Sequence, residues 1–163
     1  DGLRTIDMLR LITDLDCSTI GIIGYGLGAS IGIFMAAYSK RIGALVTNSP
    51  SFCQLEKSQN LSTSDASEEI NSFIRTKKAR KGNIKKNLSY FDSLRFIKKF
   101  SCPVLMVIGF KDTHSPALCS FGLFNRLQSE KTLHGYTEEG NEPGGSEEFK
   151  KSISWISKII SES

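Results

Sequence analysis

No apolar run in this sequence approaches the roughly eighteen residues that a membrane span requires, which argues against a transmembrane segment. The opening Asp1-Gly2-Leu3-Arg4 lacks the basic and apolar regions of a signal peptide, so a cytoplasmic protein is expected. An initiating Met is absent as well, and the chain reads as a trimmed or partial product of a longer gene. Cysteine is sparse and scattered. Cys17, Cys53, Cys102 and Cys119 form no C-x-x-C pair and have no histidines near enough to complete a metal site, which leaves buried free thiols. Histidine is scarcer still, so any chemistry that needs an imidazole base must draw on His114 or His134.

What is present suffices for one compact domain over residues 1–163, since 39% hydrophobic content lies in the soluble globular range. The net charge of +4 is modest, and much of the basic excess lies between Arg75 and Lys99. Arg75, Lys77, Lys78, Arg80, Lys81, Lys85 and Lys86 could meet phosphate or an acidic partner. No nucleic-acid motif accompanies them, so they read as a solvated helical face, and neither nucleic acid nor membrane is an expected partner.

Leu3, Ile6, Leu9 and Leu11 or Ile12 recur at helical spacing and predict an amphipathic helix, which Asp16 to Ser18 interrupts. Thr19 to Gly24 is a short, nearly all-apolar run suited to a strand buried on both faces of a parallel sheet. A glycine turn and a helix over 28–39 follow, with Ile31, Phe34, Met35 and Tyr38 as the apolar side and small residues between them. Ala44 to Thr47 predicts the next strand. The composition then turns polar, and the interval at about 51–88, anchored only by Ile70, Phe73, Ile74 and Ile84, reads as a helical lid outside the sheet.

A short helix with Leu94, Phe96 and Ile97 leads to Pro103–Gly109, the clearest buried strand in the chain. Pro116 opens a helix to about Leu127, Lys131 to Tyr136 forms a fourth strand, and a last helix starts near Ser146 as its cap. That helix has Glu147 and Glu148 in its first turn and Phe149, Ile153, Ile156 and Ile160 as its stripe. Strands alternating with helices predict a three-layer αβα fold around a parallel sheet.

Gly24-Tyr25-Gly26-Leu27-Gly28 lies between a strand and a helix, where two chemistries recur. A phosphate or dinucleotide site needs G-x-G-x-x-G and an acid after the next strand; here the spacing differs and that strand ends in Thr47-Asn48-Ser49. No cofactor is expected. A nucleophile elbow, G-x-S-x-G, fits the spacing, but Gly26 stands at the serine position and has no side chain with which to attack an acyl carbon. Ser30, one helical turn later, points along the helix and does not replace it.

Several ordered segments share one resemblance: Ile20 to Ala29, Ala44 to Val46 with Ser49-Pro50-Ser51-Phe52-Cys53, Leu88 to Asp92, Cys102 to Met106, Gly109 to Asp112, and Tyr136 to Glu142. Together they resemble the acetyl xylan esterase and cephalosporin-C deacetylase family of α/β-hydrolases, from about Asp7 to the end. The resemblance implies a carboxylic-ester hydrolase, with a serine at the elbow, an acid after the next-to-last strand and a histidine after the last. Carried onto this chain, those positions are Gly26, Asp112 and Asn141, and Leu27 is the position that supplies one oxyanion N–H. An asparagine amide does not accept a proton near neutral pH, so two of the three triad positions hold no working group.

The resemblance also implies that the sheet matches the second half of a larger one. The strand at 19–24 would then be an apolar edge, to be covered by an upstream segment or another chain.

Three functions follow as expectations. The chain is an inactive homologue kept as a binding or scaffold domain; or a deacetylase of acetylated carbohydrate that works through His114 with Ser115 or Cys119; or a binder of a small acylated or carbohydrate ligand at the emptied elbow, with Asn141 and Asp112 as polar contacts. No metal site is expected.

Overall fold

The computed structural model describes residues 1–12, 16, 18–77, 81–99 and 101–162. Cys17, Lys78 and Arg80, named above, lie outside the described residues. The order is α1 (Gly2–Leu9), β1 (Ile20–Tyr25), α2 (Leu27–Tyr38), β2 (Ile42–Asn48), α3 (Leu55–Leu61), α4 (Asp65–Thr76), α5 (Lys81–Leu88), β3 (Val104–Gly109), α6 (Ala117–Arg126), β4 (Lys131–Tyr136) and α7 (Gly145–Ser161). The four strands run parallel in the spatial order β1-β2-β3-β4. No helix among the described residues is long and apolar enough to cross a membrane.

Alternation along the strands feeds two cores. Leu45, Val104, Met106 and Ile108 point to one face, where Ile6 of α1, Ile33 of α2 and Leu123 of α6 close over them. Val46, Leu105 and Val107 point to the other, beneath Trp155 and Ile156 of α7. This makes three layers. Each fully buried aliphatic side chain contributes about 1.5–3 kcal/mol, which makes β3, buried at all six positions, the best-anchored strand. β1 pairs only with β2 among the described residues, and Ile20, Ile22 and Ile23 stay half-buried at that edge.

Three expectations change. The buried face of α2 is Ala29, Ser30, Gly32, Ile33 and Ala36, while Ile31, Phe34 and Tyr38 are exposed. Helix and sheet approach too closely for bulk: a Cβ on Gly32 would come within 2.9 Å of Leu45 Cδ1. The short helix expected around Leu94 is a 3-10 turn, Ser93–Arg95, capped by the Asp92 side chain. Helix α7 begins one residue before Ser146 with Gly144 at its cap, where φ of 74° suits glycine better than serine. Between β2 and β3, α3, α4 and α5 leave the sheet, and α4 buries none of its residues.

Candidate functional site

Parallel register brings the exits of all four strands to one edge, because Tyr25 lies opposite Asn48, Asn48 opposite Val107, and Gly109 opposite Tyr136. Open parallel sheets place ligands at this carboxyl edge. Gly26 follows β1 with φ 51° and ψ −114°, a strained combination for any residue with a Cβ. The turn is tied to the exit of β2: Gly26 N–H donates to Asn48 C=O at 2.9 Å, and Ser51 N–H donates to Gly26 C=O at 3.1 Å. Gly24 is required by close approach, since a Cβ there would stand 2.6 Å from backbone atoms of Gly28 and Ala29. Leu27 is the first residue of α2, so its N–H has no intrahelical acceptor and is open to a ligand.

A Cβ at position 26 would meet only the Ser51 hydroxyl, 3.3 Å away. Ser51 Oγ lies 3.1 Å from Ser115 Oγ, and Ser115 N–H donates to Asp112 Oδ1 at 2.8 Å. The space beside the elbow is therefore linked through two serines to the aspartate that follows β3. Asp112 is 5% exposed, and its Oδ1 also accepts from His114 N–H at 2.8 Å. Its Oδ2 is buried with no hydrogen-bond partner among the described residues. The Asp112 loop leans on the loop after β4, where Lys111 N–H donates to Glu139 C=O at 2.9 Å. Asn141 follows in that loop as an exposed residue.

The alternative set does not assemble. The His114 residue is exposed, and its hydrogen bonds run through its backbone, N–H to Asp112 and C=O from Ser62 Oγ at 2.7 Å. Ser115 is buried with its hydroxyl engaged by Ser51, and Cys119 is buried below it in α6. His134 is occupied elsewhere: its Nδ1 is 2.7 Å from Glu148 Oε1, on a carboxyl only 1% exposed that also accepts from Tyr136 Oη at 2.6 Å. Sequence reading missed both Ser51 and this Glu148 cluster. A serine two residues beyond a strand end, and a glutamate in a first helical turn, carry no local mark of either contact.

An apolar cleft of about 240 Å3 opens beside Leu27, walled by Ser30, Ile31, Phe34, Phe52 and Phe96. Phe34 and Phe96 meet edge to face at 5.3 Å between centroids, a geometry that fixes the wall.

Burial raises the thiols of Cys53 and Cys119, and it pushes Cys102 up to about 11 from the ordinary 9.0. Burial, with the Glu148 hydrogen bond, pushes Tyr136 up to about 12 from 10.0. These groups hold their protons in the folded chain after the unfolded chain has lost them. Their contribution to stability is complete below about pH 9 and is lost as pH rises toward 11 and 12. Urea midpoints are expected to fall steadily above about pH 9, and a flat midpoint through pH 10.5 would contradict this.

A parallel sheet with a glycine turn between its first strand and the next helix, and a buried aspartate in the loop after its third strand, has the arrangement of an α/β-hydrolase fold. The chain belongs to the acetyl xylan esterase family: the family model described as "Acetyl xylan esterase (AXE1)" matches residues 1–159. It is 23% identical over 128 residues to the acetyl esterase Axe7A of Xylanibacter ruminicola, covering 78% of this chain and 28% of that protein. The acetyl xylan esterase of Paenibacillus sp. R4 superposes with a TM-score of 0.88 at 22% identity, over 96% of this chain and 50% of that one. That of a Thermoanaerobacterium species gives 0.86 at 21%, with the same coverages. The acylaminoacyl peptidase of Pyrococcus horikoshii shares the fold at 0.70 and 16%, over 94% of this chain and 26% of that one. The chain thus spans half the length of these two solved acetyl xylan esterases and less of the other two proteins.

Proposed function

We propose that this chain is a catalytically silent member of the acetyl xylan esterase family, retained to bind an acylated or carbohydrate ligand at the elbow cleft. The observation that carries this reading is Gly26, which keeps the strained elbow backbone, φ 51° and ψ −114°, without any nucleophilic atom. Two others support it. Asn141 occupies the loop from which a base would approach, and among the described residues the buried Asp112 Oδ2 has no donor to orient. Leu27 N–H and the aromatic-walled cleft remain available for an acyl group and the sugar that carries it. The half-buried edge of β1 is the place where an upstream segment or another chain would pair.

The test is hydrolysis of 4-nitrophenyl acetate by the purified chain. No turnover above buffer is expected, nor from Gly26→Ser alone, because no imidazole stands at position 141 to activate the hydroxyl. Saturable turnover that disappears in Asp112→Asn would overturn the reading. So would a fluorophosphonate adduct on Ser115, in favour of a deacetylase working through unusual residues.

A further inference from the structure

The lid region holds a further hollow, which adjoins the elbow cleft at Phe91. Helix α4 carries Ile70, Phe73 and Ile74 on one side, yet none is buried, and Phe73 is 54% exposed. An apolar stripe on a helix ordinarily faces a core. Here Ile70 and Phe73 face an open trough of about 650 Å3, floored by Ile70, Phe73, Ile84, Leu88 and Phe91. A second hollow of about 400 Å3 shares Phe73 and Ile84 with it and extends the trough to Lys77 and Asn83. Volumes of roughly 300–1,000 Å3 with mostly apolar walls and few polar groups are those of small-ligand sites.

Charge distinguishes the two ends. At the Asn83 end, Lys77 lines the mouth and makes no ion pair among the described residues, whereas nearby Lys85 is taken by Glu56 at 2.5 Å. At the other end Glu69 contributes to the wall, with Asp65 and Glu68 in the first turn of the same helix. A ligand with one anionic head and a long apolar tail satisfies both ends. An acidic amphipathic helix would bring carboxylates along its whole length against Glu69 and Glu68.

We propose that this trough binds a single-chain carboxylate amphiphile, a fatty acid anion, with its tail along Phe73, Ile84, Leu88 and Phe91 and its carboxylate at Lys77. This does not depend on the reading of the elbow, and a failure of either leaves the other standing.

The experiment is calorimetric titration of the chain with dodecanoate below its micellar concentration, beside octanoate, dodecanol and dodecyltrimethylammonium. Dodecanoate is expected to bind one to one and octanoate about 250 times more weakly, since each of the four methylenes it lacks tightens binding about fourfold when buried. Lys77→Glu is expected to weaken dodecanoate about tenfold and to leave dodecanol unchanged. Ile84→Asp, at a half-buried trough position, is expected to remove binding of both, and circular dichroism checks that it stays folded. Equal affinity for the ammonium amphiphile, a stoichiometry above one, or indifference to Lys77→Glu would overturn the proposal. Preferential binding of an acidic amphipathic peptide over dodecanoate would do the same.

Discussion

Gly109→Ala is expected to cost about 3 kcal/mol of stability, near the top of what overpacking usually costs. A Cβ at the end of β3 would fall inside the contact distance of Gly140 O, 2.8 Å from Glu139 O and 2.9 Å from Gly140 C. All three are backbone atoms, so no rotamer change relieves the clash. The loop after β4 would have to move as a body, against the hydrogen bonds Phe110 N–H to Tyr136 C=O and Lys111 N–H to Glu139 C=O, both 2.9 Å. That movement would also separate Asp112 from the Asn141 loop. Gly140→Ala is the matched control, because its nearest neighbour would stand at an ordinary 3.4 Å and the cost is expected to stay below about 1 kcal/mol. Urea denaturation of the two variants decides the matter, and equal losses would show that the contact between the two loops is soft.

Glu148→Ala is expected to cost a similar amount, again about 3 kcal/mol, for an electrostatic reason. Its carboxyl is 1% exposed and accepts from Tyr136 Oη, His134 Nδ1 and, more distantly, Ser152 Oγ at 3.4 Å. Removing it leaves donors on β4 and α7 facing a cavity. The loss stays near this figure because the His134 side chain is 32% exposed and water can satisfy its freed Nδ1. Glu148→Gln keeps the volume and one acceptor oxygen and is expected to lose about 1 kcal/mol. The double variant His134→Ala with Glu148→Ala should lose less than the sum of the singles, which separates a true pair from two independent packing defects. Additive losses would mean that His134 and Glu148 do not interact in solution.

Much of the architecture was legible because strands and helices declare themselves locally. The run Val104 to Gly109 and the strand Lys131–Tyr136 lie where composition and spacing placed them. The elbow, too, was visible as a glycine turn between a strand and a helix, with Gly26 at the helix cap. The face of α2 was misread for a physical reason. Periodicity finds the bulky apolar stripe, but the sheet demanded close approach, so the small-residue face went inward and Phe34 and Tyr38 came to wall the cleft and its surroundings.

By itself the sequence determined the parallel α/β class, the position of the elbow and the residue types at 26, 112 and 141. Each depends on neighbours within a few positions or on the identity of one side chain. Only the tertiary structure decided that Ser51 and Ser115 link the elbow to Asp112, that Asp112 Oδ2 has no partner among the described residues, and that His134 is held by Glu148. Those contacts join residues from different strand exits and from a helix on the opposite face. No periodicity along the chain encodes them, because they arise when the parallel register brings distant segments to one edge.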